Sequence, residues 1–370
     1  MNRPLPPGNP FEVPAWVDHL AAWVARAPQF WQALGRFETQ VLEERISAVR
    51  VEAPIYVCGL ARSGSTILLE MLAEHAATAT HAYHDFPLVH TPYFWNRFLD
   101  RAQRKAPLAV ERAHGDGILV TPDSPEAVEE VLWMSFFPGL HQPGMVDVLD
   151  SDTQAPAFER YYDEHLRKLL WLRGGYRYLA KGNYNSTRMR YLARLYPDAR
   201  FVVPLRDPVS HVASLLRQHQ RFCALHAADP RAQRYMSRLG HFEFGLDRRA
   251  VHTGDATRYA AIREAWAQGN GIEGYALAWD DLYRHIADQL DASPSLRAAT
   301  LVVRHEELRR APHAQIGRLF DHCGLEIAPA ELGRLSTRLQ TQAGEPELAP
   351  AQRQRIIELT ASTLQRFASR

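Results

Sequence analysis

Two glycines five residues apart, with an arginine and a serine between them, are the first residues of this chain that could hold a reacting group. They belong to Gly59-Leu60-Ala61-Arg62-Ser63-Gly64-Ser65-Thr66, which has the G-x-x-x-x-G spacing of a phosphate loop. Between a strand and a helix, such a loop turns backbone N–H groups and a helix N-terminus toward phosphate oxygens. A nucleoside triphosphatase carries lysine next, to reach the β- and γ-phosphates, and then a hydroxyl residue for magnesium. Here Ser65 occupies the lysine position, and the basic residue, Arg62, lies inside the loop. The loop is suited to a phosphate but lacks the group that triphosphate chemistry most depends on. Arg62, Ser63, Gly64, Ser65 and Thr66 are its candidate ligands.

A second set follows the apolar run Phe201–Leu205. Arg206 falls at the end of that expected strand, where α/β sheets place ligands. Ser210 and Ser214 lie four apart on the next helix and so face one side of it. Together the three can grip a phosphate, the arginine through a charge-assisted fork. Asp207-Pro208 reads as the cap and first position of that helix. Arg248-Arg249 reads as a solvated pair. Tyr93-Phe94-Trp95 with Phe98 has the helical spacing of a packed face.

These groups need a scaffold. Pro54–Cys58, Arg177–Ala180, Phe201–Leu205 and Thr300–Val303 read as buried strands. Helices are expected over Ile67–His75, Ser186–Tyr196, Asp207 to about Arg221 and Ala311–Cys323, with another starting at Ser124-Pro125-Glu126. Residues 15–48 read as two amphipathic helices, with Trp16, Leu20, Trp23 and Val24 at helical spacing. Strands alternating with helices predict an α/β fold, a P-loop-like parallel sheet flanked by helices, with additional helical segments. The expected division is an N-terminal helical segment 1–50, the α/β domain 51–330, and a C-terminal helical segment 331–370 of the same domain.

Composition excludes other classes. The 370 residues carry 43 basic and 42 acidic side chains, a net charge of +1, so no broad basic field recommends nucleic acid as a partner. Cys58, Cys223 and Cys323 are sparse and form no metal or disulfide pattern. The proline-rich Met1–Pro10 is unlike a signal peptide, and the uncharged stretch Val131–Val146 is too short and broken to span a bilayer. The expectation is a cytoplasmic protein with no metal.

Tyr56 to Leu69, YVCGLARSGSTILL, resembles the 5′-phosphosulfate loop of sulfotransferases that use 3′-phosphoadenosine 5′-phosphosulfate (PAPS), in its Golgi-type and bacterial form. Phe201 to Leu215, FVVPLRDPVSHVASL, resembles the family's strand ending in Arg-Asp-Pro, with Ser214 eight residues after Arg206. Lys181 to Arg206 resembles the lysine-to-arginine stretch of tyrosylprotein sulfotransferases, including the separation of 25 residues. Leu301 to Leu308, LVVRHEEL, resembles the late strand and turn, with His305 near the usual tyrosine. The C-terminal Arg-Lys-Gly segment of the cytosolic branch is not found.

The resemblance implies transfer of a sulfuryl group from PAPS to an acceptor hydroxyl on a small molecule, glycan, lipid or peptide. It makes Arg62 the catalytic cation at the 5′-phosphate, Lys181 a second cation, and Arg206 with Ser210 and Ser214 the 3′-phosphate site. A general base is also needed. In His81-Ala82-Tyr83-His84-Asp85-Phe86, near the place of the tyrosylprotein branch's glutamate, Asp85 is the first candidate and His84 the second. His114 is the third. A small-molecule P-loop kinase is one alternative, disfavoured by the missing lysine. A non-catalytic nucleotide-binding protein of the same fold is another, disfavoured by Arg62, Lys181, Arg206 and Ser214.

Overall fold

The computed structural model describes residues 13–101, 109–115, 117–339 and 348–368; Met1–Pro10 and residues 340–347 of the expected terminal segments lie outside them. The apolar runs become strands β1 (Ile55–Cys58), β5 (Arg177–Gly182), β6 (Arg200–Leu205) and β7 (Thr300–Arg304), joined by a two-residue β2 (Thr78–Ala79). Their order is β2-β5-β1-β6-β7, and every neighbouring pair is parallel. Two further short strands, β3 (Val110–Glu111) and β4 (Leu119–Val120), form a separate antiparallel hairpin.

Period-two alternation sends each strand into two cores. Ile55, Val57, Leu179, Val202 and Val303 pack on one face with the helices Ser65–Ala73 and Pro312–Cys323. Tyr56, Cys58, Tyr178, Phe201 and Val203 pack on the other, with the helices Pro156–Arg173, Pro208–Ala228 and Gly271–Ala292. Both faces are covered, which is why the strands are continuous apolar runs. Each fully buried large side chain contributes about 1.5–3 kcal/mol. The cores therefore outweigh the few strained loop residues of the site, at roughly 1–3 kcal/mol each.

The terminal helices are anchored to this body. Asp18, on the helix Ala15–Arg26, pairs with Arg234 at 2.8 Å and Arg238 at 2.6 Å. Glu38, on Pro28–Ile46, pairs with buried Lys168 at 2.9 Å. On the C-terminal helix Pro350–Arg366, Thr363 donates to Asp280 of Gly271–Ala292 at 2.6 Å. Among the described residues, no helix is long and apolar enough to cross a membrane.

Three local expectations change. No helix begins at Ser124: its hydroxyl accepts from the Thr121 N–H at 3.0 Å, Pro125 bridges to Ala82, and the helix starts at Glu130. The segment expected as one helix over Ser186–Tyr196 starts as a 3-10 turn, Asn183–Thr187, before the helix Met189–Leu195. The helix after Asp207 runs on to Ala228. What matters for function is the sheet's carboxyl edge, where β1, β5, β6 and β7 lead into the Gly59 loop, Asn183, Arg206 and His305.

Candidate active site

The glycine loop leaves β1 at Gly59 (φ 136°) and enters its helix through Gly64 (φ 103°), both in backbone regions that side chains disfavour. Arg62 lies between them with φ 68°, a left-handed residue without glycine's freedom. Strain of this kind persists only where surrounding contacts hold it. One such contact is His211. The indole N–H of Trp279 faces its Nδ1 at 3.1 Å, and an indole can only donate, so Nδ1 accepts and Nε2 carries the proton. Nε2 then donates to the Ala61 carbonyl at 2.8 Å. Burial pushes the ring's pKa down to about 3, so this support is neutral.

On one side of the loop Arg62 and Arg206 lie close together, with the carboxylates Glu306 and Asp207 also acting on Arg206. Arg62 donates through Nε to Ser214 Oγ at 3.4 Å, and Arg206 donates through Nη1 to the Arg62 carbonyl at 3.3 Å. The pKa of Arg206 is lowered by burial and by neighbouring Arg62. Its buried Nε has no hydrogen-bond partner among the described residues. His305 lies against the loop, with Nδ1 3.4 Å from where a Cβ on Gly64 would stand, and its pKa is pushed down to about 4 by burial and by Arg206 and Arg309. An orphaned buried guanidinium N–H is what a bound phosphate would satisfy. Asp207 caps the following helix, accepting from the Ser210 N–H at 2.8 Å. Ser210 and Ser214 are thereby held on its first two turns.

On the other side Arg62, Ser65 and Thr66 line a cavity of about 480 Å³. Lys181, from the end of β5, lines it too; burial lowers the lysine's pKa against the opposing pull of Glu126. Burial raises the pKa of Glu126, but Lys181, His241 and a hydrogen bond from Tyr83 outweigh it, and the net shift is downward. Its Oε1 accepts from the Ala127 N–H at 2.6 Å. Arg112 donates to Thr66 Oγ1 at 3.2 Å, and Asn183 donates to Glu243. An ionised carboxylate beside two cations can take a proton from a hydroxyl while the cations stabilise a departing anion.

The base candidates fare differently. Asp85 does not line the cavity. It is fully buried, with its oxygens held by His81 at 3.1 Å, the Ala82 N–H at 2.9 Å and Arg173 at 2.7 Å. Burial would raise its pKa, but those partners hold it well below the usual carboxylate range. Asp85, the first candidate for the base, is thus engaged by protein partners outside the cavity lining. His84 lines the cavity with both ring nitrogens engaged: Nδ1 faces Asp123 at 3.0 Å, and Nε2 faces Asn96 at 2.9 Å and Arg173 at 3.1 Å. His114 also lines it, edge-on to Phe222.

Other expectations change as well. Arg248 and Arg249 are half-buried rather than solvated, stacked over Trp266 at 4.0 Å and Phe242 at 3.9 Å. Of the aromatic run, only Trp95 lines the cavity. Glu126 and Arg112 went unread in the sequence. Glu126 was masked by the cap-like Ser-Pro-Glu pattern, and Arg112 has no motif around it.

The sequence profile described as the sulfotransferase family matches residues 54–248. Among solved structures, sulfotransferase STF1 from Mycobacterium tuberculosis H37Rv aligns at 15% identity, over 93% of this chain and 86% of that one, with a TM-score of 0.48. STF9 from Mycobacterium avium aligns at 14% identity, over 90% and 81%, with a TM-score of 0.49. A sulfotransferase from Alicyclobacillus acidocaldarius aligns at 14%, over 86% and 96%, with a TM-score of 0.41. No curated protein sequence matches the chain.

Proposed function

We propose, from the premise that this chain belongs to the sulfotransferase family, that it transfers a sulfuryl group from PAPS to the hydroxyl of an acceptor bound in the cavity. The observation that carries this reading is the position of Arg62. Its guanidinium reaches Ser214 on the Arg206 side of the loop, and the same residue lines the cavity that holds Lys181 and Glu126. A nucleotide site and an acceptor site thus meet at one side chain.

PAPS supplies an activated sulfuryl group and, as leaving group, the 5′-phosphate of 3′,5′-adenosine bisphosphate. The loop residues Ser63, Gly64, Ser65 and Thr66 would hold that 5′-phosphate, with N–H groups at a helix start as donors. Arg206, Ser214 and Ser210 would hold the 3′-phosphate, and the orphaned Arg206 Nε supports that fit. Arg62 and Lys181 would stabilise negative charge growing on the leaving oxygen. Glu126 replaces Asp85 as the proposed base: it faces the cavity, it is ionised at neutral pH, and it stands beside Lys181.

Calorimetric titration with 3′,5′-adenosine bisphosphate, run beside ATP with magnesium, tests the donor side. Tight binding of the bisphosphate without metal, and weak binding of ATP, is the expected result. Tight ATP binding without bisphosphate binding refutes the reading in favour of a kinase.

A further inference from the structure

The cavity is chemically divided. A set of its charged groups gathers around the loop: Arg62 and Arg112 act on Lys181, Lys181 on Glu126, and Arg112 hydrogen-bonds Thr66, with His241 and Glu243 lining the cavity beside them. Away from them one part of the wall is largely apolar, although His84, His114 and Thr121 also line the cavity. Phe86 and Leu239 belong to one apolar cluster, against which Val17 and Tyr235 pack, and the rings of Phe86 and Tyr235 meet edge to face at 4.9 Å. All four line the cavity. Tyr235 marks the transition, since burial and, after it, the charge of Glu126 push its phenol pKa up. Trp95 lines the same chamber and lies 6.4 Å, centroid to centroid, from Trp16, which is 51% exposed at the rim.

Resting on the sulfotransferase reading, we infer that the acceptor is an uncharged, mainly apolar alcohol or phenol. Its hydroxyl meets Glu126 and Lys181, and its hydrocarbon body fills the chamber between Val17, Phe86, Tyr235 and Leu239. The volume, about 480 Å³, lies within the roughly 300–1,000 Å³ of small-molecule sites. Against the apolar part of the wall, formed by Val17, Phe86 and Leu239, a sugar would bring several further hydroxyls, and each one left unpaired costs about 1–3 kcal/mol. A peptide would bring backbone groups with the same need. A hydrocarbon body loses nothing there and gains the transfer free energy of its buried surface.

The test titrates the complex of the full chain with 3′,5′-adenosine bisphosphate, using 2-naphthol and 1-decanol as probes. Methyl glucoside and an acidic tyrosine peptide are run beside them, and sulfated product from PAPS is followed by mass. The expected result is binding and sulfation of the two apolar probes at least about 100-fold better than of the polar pair. Leu239→Trp, which fills the chamber, should weaken 2-naphthol and 1-decanol at least about tenfold while leaving bisphosphate affinity unchanged. Val17→Trp, from the adjoining helix, does the same, should Leu239→Trp fold poorly. Preference for the glucoside or peptide overturns the inference, as does binding of apolar probes that neither variant disturbs. Failure of both apolar probes to bind while the bisphosphate binds also overturns it and leaves the donor site standing. Failure of the bisphosphate to bind refutes the sulfotransferase reading itself.

Discussion

Replacing Arg206 by methionine separates a ligand-binding role from a structural one, because the two predict opposite changes in the free protein. Without ligand, Arg206 is partly buried beside Arg62, and its Nε has no partner among the described residues. Its Nη1 bond to the Arg62 carbonyl, at 3.3 Å, is long. Losing such a bond costs about 1 kcal/mol. Removing an unsatisfied buried N–H returns about 1–3 kcal/mol, while relief of the repulsion from Arg62 is set against lost attraction to Glu306 and Asp207. Methionine keeps most of the stem's packing. The ligand-free Arg206→Met protein should therefore unfold in urea with a free energy no lower than wild type by more than about 1 kcal/mol. With the bisphosphate bound, a charge-assisted hydrogen bond of about 1.5–3 kcal/mol is lost, which weakens binding by about 10- to 150-fold. Calorimetry and urea denaturation of the same samples read both quantities. Wild-type affinity, or a loss of more than about 2 kcal/mol in the ligand-free protein, would refute the reasoning, since the second outcome makes Arg206 a structural residue.

Glu126→Gln should lower kcat by about 10²–10⁴-fold at unchanged bisphosphate affinity. Lys181 and His241 hold the carboxylate ionised below its ordinary 4.5, so turnover should fail in acid only below the usual glutamate range; an acid limb centred above that range would give the base role to an imidazole. His305, ordinarily near 6.5, titrates at about 4 in the fold because of burial and Arg206. Between those values the unfolded chain takes up the proton and the folded one does not, so stability falls as pH drops through this window. His305→Gln should flatten that slope in urea titrations at pH 5 and 7, and parallel slopes would contradict the assignment. Asp85→Asn breaks a buried ion pair with Arg173 and should cost about 3–5 kcal/mol of stability. Turnover per folded molecule should stay near wild type, and a loss matching that of Glu126→Gln would restore Asp85 as the base.

The proposed donor side was legible because its geometry is local. A phosphate loop is eight consecutive residues, and Gly59 and Gly64 announce it by the backbone angles they allow. Arg206 follows an apolar run ending β6, and Ser214 is fixed relative to it by helical pitch. The strands were legible as continuous apolar runs because both sheet faces are covered. Asp85 stood out because its neighbours in sequence, His81 and His84, look like chemistry, while the Arg173 that pairs with it is 88 residues away.

Glu126 was hidden for the opposite reason. Ser124-Pro125-Glu126 has the letters of a helix start, but Pro125 is bridged to Ala82 and the Glu126 N–H donates to the His81 carbonyl at 3.0 Å. Those contacts hold the carboxylate in an extended segment facing Lys181, from a strand more than fifty residues further on. The chamber beyond is assembled in the same way, with Val17, Phe86 and Leu239 drawn from three distant segments. None of these positions shares a motif with another, so substitutions there change the chamber without touching the glycine loop or Arg206. On the proposed function, donor recognition rests on contiguous motifs and acceptor recognition on long-range packing. Variants of the chamber wall should therefore alter which hydroxyl is chosen while bisphosphate affinity stays constant, and the constancy of that affinity is the measurable sign that the two halves are independent.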